Sequence, residues 1–170
     1  DGDDNVAIGR AALGAGDVSG ASNIAIGTTA MDALTTGLCN VALGTNALGA
    51  STTGCRNIAI GDIAMGAADT TGINNIAIGT TAMDALTTGI CNVAIGAAAL
   101  SVSTTGCLNI AIGDNAIGAA DTTGINNIAI GQTAMDALTT GKWNIAIGLD
   151  AYGAATTGCE NIAIGKTAMG

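Results

Sequence analysis

The side chains that most often carry protein chemistry are sparse here: no His, five Cys, thirteen acidic residues, one Trp and one Tyr. Without His, proton transfer near neutral pH would fall to carboxylates. Nearly all of these sit among Gly, Ala and Thr at polar turn positions, and no two form a recognisable catalytic pair, so no enzymatic activity is expected. Zinc is not expected either, since there is neither His nor a Cys-x-x-Cys pair. Asp1, Asp3 and Asp4 are oxygen ligands of the kind calcium takes, but a single acidic tetrapeptide reads more simply as a solvated terminus. No cofactor is predicted.

The cysteines fall into two groups. Cys39 and Cys91 stand one residue before an Asn, and Cys55, Cys107 and Cys159 stand two before. Positions equivalent to the second group are mostly apolar, which predicts Cys as a small hydrophobe there, whereas those of the first are mostly polar and predict exposure. Cys39–Cys55 and Cys91–Cys107 would nonetheless lie on adjacent turns of chain with Cα atoms about 6 Å apart, within disulfide reach. Opposite facing argues against these bridges and an extracellular setting argues for them. Trp143 occupies the place of a third partner, which leaves Cys159 free. Trp143 and Tyr152 are candidate ligand contacts, since exposed aromatics often anchor partners. The plainer reading has Tyr152 filling a Leu/Met slot in the core and Trp143 as an incidental surface residue.

What positions these residues is a repeat. Asn-[Ile/Val]-Ala-[Ile/Leu]-Gly occurs ten times, at Asn5, Asn23, Asn40, Asn57, Asn75, Asn92, Asn109, Asn127, Asn144 and Asn161, every 17 or 18 residues. Three units make 52 residues, and the chain reads as super-repeats over 5–56, 57–108 and 109–160 with a partial copy at 161–170, all in one domain over 1–170. The eighteenth residue of each long unit is Asp17, Asp69 or Asp121. These recur every third unit, about 14 Å apart if units stack as strands, too far to share one ion.

Seventeen residues are too few for the helix pair of a helical solenoid. Fixed Gly and β-branched runs fit short strands broken by turns. The expected fold is all-β, a parallel β-solenoid or β-roll of about ten coils, about 45 Å long. Seven residues past each Asn stands Ala in all ten units, followed by Leu, Met, Ile or Tyr, and both columns are predicted to be buried. The Asn column predicts a ladder of stacked amides. Alternation in N-I-A-I puts both Ile on one face and Ala on the other, where a smooth strip of Ala would suit close packing against another roll or stand as a bland, partly exposed strand face. Thr-Thr-Gly closes eight of the nine complete units. If one Thr per coil faces out, Thr35, Thr52, Thr70 and Thr87 form a single file. An ice-binding solenoid would use such files, whereas a turn would use the hydroxyls to satisfy its own backbone.

Composition sets the outer limits. A net charge of −9 opposes nucleic-acid binding, and Gly, Thr, Asn and Asp interrupt every apolar run well short of a membrane span. The ten copies of "NIAIGxxA" across residues 5–170 resemble the head repeats of trimeric autotransporter adhesins, and also the Thr-Thr-Gly-containing arrays of tail-fibre-like proteins from phages and environmental bacteria. The adhesin coils are shorter, so the Met-x-Ala-x-Thr-Thr-Gly half of each coil has no counterpart there. The resemblance implies a left-handed roll, a trimer, a cell-surface or virion-surface location, and a structural or adhesive fibre with a cell-surface or glycan receptor. It also implies a fragment of a longer fibre. An end-to-end filament is the remaining alternative.

Overall fold

The computed structural model describes residues 2–14 and 18–169. Ten three-residue strands run from β1 (Val6–Ile8), β2 (Ile24–Ile26) and β3 (Val41–Leu43) through β4 (Ile58–Ile60), β5 (Ile76–Ile78) and β6 (Val93–Ile95) to β7 (Ile110–Ile112), β8 (Ile128–Ile130), β9 (Ile145–Ile147) and β10 (Ile162–Ile164). They form one parallel sheet in chain order. Register is constant: Ala25 pairs with Ala42, Ala42 with Ala59 and Ala59 with Ala77. Each coil therefore lies on its predecessor with like residues stacked, and a unit of 17 or 18 residues is one circuit. This is the predicted parallel β-solenoid.

The facing of the strands corrects the expectation. The central Ala of each strand does not form an outer strip for another roll. Ala25, Ala42, Ala59, Ala77, Ala94, Ala111, Ala129 and Ala146 are fully buried and the Ile, Val and Leu on either side point outward. The reason is space. Across each circuit the interior must also hold the second Ala column (Ala30, Ala47, Ala64) and the adjoining Met31, Leu48 and Met65, all buried. A methyl group is what the remaining gap accepts, since interiors pack to near-crystalline density.

Corners come from an unexpected source. Gly27 has φ 140°, and a Cβ there would collide with the Gly44 carbonyl one coil on, so this column must be Gly. The left-handed turns, however, are taken by ordinary residues. They recur just before the Asn (Cys39, Arg56), two after the pentapeptide Gly (Asn46, φ 55°; Ile63, φ 57°) and in the core column (Met65, φ 49°; Met83, φ 52°). Each such L-residue costs about 1–2 kcal/mol. The stacked register supplies the compensation, because the corner amides hydrogen-bond between coils, as Arg56 N–H does to Leu38 O and Ile63 N–H to Thr45 O.

Candidate functional site

The asparagines form the most regular polar feature. Asn23, Asn40, Asn57, Asn75, Asn92, Asn109, Asn127 and Asn144 are buried, with Asn5 and Asn161 half-buried at the ends of the file. Asn40 donates its backbone N–H to Asn23 Oδ1 at 2.9 Å and its Nδ2 to the same oxygen at 3.1 Å. Its Nδ2 also donates to Gly54 O at 2.6 Å, across the circuit. The pattern repeats through Asn92, which bonds to Asn75 Oδ1 and to Gly106 O. From Asn5 to Asn144 each Oδ1 thus ties its coil to the next by accepting the following Asn N–H, and each Nδ2 closes its own coil. No buried side-chain nitrogen or oxygen among the described residues lacks a partner. The file is a structural spine with no vacant polar group to offer a ligand.

The Thr-Thr-Gly side departs from the predicted file of Thr35, Thr52, Thr70 and Thr87. Thr70 is fully buried and donates its hydroxyl to Leu86 O at 2.8 Å; Thr122 does the same to Leu138 O. The cause is the eighteenth residue. Asp69 stays outside, accepting the Thr52 N–H at 2.9 Å and its hydroxyl at 3.0 Å, and the following Thr turns in. Asp121 treats Thr104 alike. These carboxylates cap turns. Asp1 and Asp17 lie outside the described residues, and no group of three or more potential metal ligands occurs among the rest. Thr35, Thr87 and Thr139 are turned onto the next coil's carbonyls at 2.9–3.1 Å. The file that does face out is the neighbouring one, Thr36, Thr53, Thr71, Thr88, Thr105, Thr123, Thr140 and Thr157, one per coil.

All five cysteines are free thiols. The Cys39–Cys55 and Cys91–Cys107 bridges are not formed, and backbone register explains why. Arg56 N–H bonds Leu38 O, so Cys55 stacks on Leu38, and its Sγ lies 3.4 Å from Leu38 N and 3.3 Å from Thr53 O. Cys39 sits on the left-handed corner beside it, in a different column. Nor is the Cys55 column the interior one its apolar composition suggested: Leu38 and Ile90 are 44% and 40% exposed, and Cys159 is exposed.

Tyr152 is a core residue, not a ligand contact. It is 6% exposed in the Leu/Met column, and its phenol oxygen accepts a hydrogen bond from Asn161 Nδ2 at 2.7 Å. Trp143 stands on an outer corner, 53% exposed, two residues before β9. Among the described residues no pocket opens, and no helix is long and apolar enough to cross a membrane. Among the described residues two carboxyls are perturbed. Burial pushes Asp84 above the usual carboxylate range, and burial together with the Asp150 charge does so for Asp136.

The largest surface that sequence reasoning missed is the outer sheet face. Two files of Val, Ile and Leu run along all ten strands with no polar side chain among them. The signal was present in N-I-A-I, but its sense could be read only once the interior proved too thin for Ile. Comparison with protein-family models, with curated proteins and with solved structures returns no match to this chain.

Proposed function

We propose that this chain is a stiff segment of an extracellular fibre, on a cell or virion surface, that projects and stiffens and offers its sides for adhesion to a cell-surface or glycan receptor. The observation that carries this reading is the unbroken Asn spine running in step with the ten-stranded sheet. Every coil is fastened to the next by the same Asn N–H to Asn Oδ1 bond, so length is gained by duplicating a coil, and the rod resists bending along its whole span. An acidic exterior keeps such rods hydrated and apart. The resemblance to adhesin heads and tail-fibre arrays supports the same reading.

The test pairs electron microscopy with binding of the purified chain to intact cells and to immobilised glycans. Straight rods about 45 Å long, with saturable retention on cells or glycans, are expected. Flexible or globular particles, or rods that no cell or glycan retains, overturn the reading. An ice-binding role would call for a second outward Thr file, where this surface has hydroxyls already engaged by carbonyls; thermal hysteresis in the same preparation would revive it.

A further inference from the structure

The outer sheet face is unusual for an otherwise acidic surface. Each of the ten strands contributes two aliphatic side chains to it; from β5 to β9 Ile78, Ile95, Ile112, Ile130 and Ile147 are each 36–38% exposed, and their neighbours in the second file are half-buried. The face measures about 45 Å by about 12 Å, so it projects on the order of 500 Å². Two such faces in contact bury on the order of 1,000 Å², the least area at which a specific protein interface is found. A monomer that left this strip in water would carry a patch near the upper end of what soluble chains expose.

We infer that this face is the contact surface of a homodimer, two solenoids laid face to face about a two-fold axis parallel to the rod. Three features select a second copy of this chain as the occupant. The first is width: a strip only two side chains across is covered completely by one opposed strip at the usual sheet-packing distance of about 10 Å, whereas three rods about a common axis would each bury only part of it. The second is spacing. Side chains in each file recur at the strand separation, about 4.8 Å, and only another face of the same pitch can mesh with it coil after coil.

The third is charge. With a net charge of −9, two copies repel wherever their acidic flanks meet, and the sheet face has no charge at all. At its rims the signs are opposed. Arg56 stands just before β4 and Asp62 just after it, both exposed. A two-fold axis along the rod reverses strand direction while keeping height. Arg56 of one copy then comes opposite Asp62 of the second copy at the same level, and the reciprocal pair forms on the other rim. Antiparallel rods would instead set like rims against each other, so the charges also select the parallel arrangement. This pairing does not rest on the fibre reading, although two rods pointing the same way would suit a fibre.

The experiment is sedimentation of the whole chain across a concentration series, expected to give twice the 16.1 kDa chain mass. The triple variant Ile95→Thr, Ile112→Thr, Ile130→Thr keeps β-branched shapes on the strands and removes apolar surface; it should raise the dimer dissociation constant at least tenfold with an unchanged far-UV circular dichroism spectrum. A matching triple change on the opposite side, Thr88→Ser, Thr105→Ser and Thr140→Ser, should leave it unmoved. Arg56→Glu should weaken the dimer about threefold or more, and adding Asp62→Arg should restore it. Monomer or trimer mass for the parent chain, an open-ended polymer, or a threonine triple variant that folds and dimerises as before overturns the proposal. So does an Arg56→Glu effect that Asp62→Arg cannot rescue. A monomer that partitions onto apolar vesicles would assign the face to a lipid surface and equally refute the pairing. Monomeric rods that still hold cells would sink the dimer while leaving the fibre reading intact.

Discussion

On the sheet side of each coil the interior holds one methyl group and the exterior a pair of branched aliphatics. On the Thr-Thr-Gly side the interior holds Leu34, Ser51 or Thr70 in successive coils, all buried, and the exterior a single Thr. The sheet satisfies its own backbone through strand pairing, so its side chains are free to be apolar on both faces. The turn side does so only in part, as where the Thr35 N–H bonds Thr52 O. Its carbonyls take bonds from Ser51 and Thr70 inside and from Thr35 and Thr87 at the surface, and Asp69 accepts a turn N–H. Rigid regularity on one side and side-chain repair on the other explain where the eighteenth residue goes in the two long units described throughout: Asp69 and Asp121 both enter the turn and not the strand.

The sharpest way to break this contrast is to put an outward residue inside. Ala94 is fully buried at the centre of β6, with Ile95 beside it on the outer face. Ala94→Ile adds three carbons to a space sized for a methyl, so the walls must part and the flanking ladders stretch. A loss of about 3 kcal/mol is expected, read as a lower denaturant midpoint. Ile95→Ala, its mirror image, removes an equal volume from the surface and should cost a third of that or less in the folding of the isolated chain. Equal costs would mean that the two faces are not inside and outside.

Asn92→Ala comes next. The change leaves the Asn109 N–H without its acceptor at 3.0 Å and Gly106 O without its donor at 2.7 Å, both inside the rod. Two orphaned buried groups, at about 1 kcal/mol or more each, put the loss at about 2 kcal/mol or more. Thr105→Ala, on the outward Thr file, has no side-chain bond to lose and should fall within about 0.5 kcal/mol of the parent. Thermal melts of the two variants side by side would measure the difference between spine and surface.

The period, the parallel stacking and the buried Ala and Met columns could be read directly, because identical residues at fixed spacing can stack only one way. The sense of N-I-A-I could not. Alternation is symmetric between faces, and the ordinary rule that branched apolar residues go inside points the wrong way when the interior is this thin. Thr70 misled for a related reason: its three-letter context matches Thr35, but the inserted Asp69 changes which Thr faces in. The left-handed corners left one usable trace. Asn46, Asn115 and Asp150 share a column with Ile63, and Asn and Asp are the side chains that tolerate that conformation. Nothing in Met65 or Met83 announced it, because the core column is chosen for packing and stacking overrides its local preference.

That trace gives the third prediction. Ile63 carries φ 57° as a β-branched residue where Asn46 and Asn115 serve in other coils. Ile63→Asn should relieve the strain and raise stability by about 1 kcal/mol, seen as a higher melting temperature. A fall would mean that the half-buried Ile63 side chain contributes more packing than its backbone costs.

The smallest effect separates the acidic turn side from the neutral sheet. Asp136 has a raised pKa because burial disfavours its charged form and the Asp150 carboxylate adds repulsion. Its folded value lies above the unfolded one. The stability it contributes is therefore complete below the unfolded value, near 3.8, and is lost as pH rises through the folded pKa. Asp84 acts in the same sense, by burial alone. Lowering the pH from 7 towards 4 should stabilise the rod modestly, against the usual acid trend. Asp136→Asn should supply its share at pH 7, where water screens the charges and holds the gain to about 0.5 kcal/mol. Near pH 4, where the parent carboxyl already carries a proton for much of the time, parent and variant should melt closer together. A variant whose advantage stayed constant across that range would locate its gain in packing or turn geometry, and the charge on this side of the coil would then be a bystander.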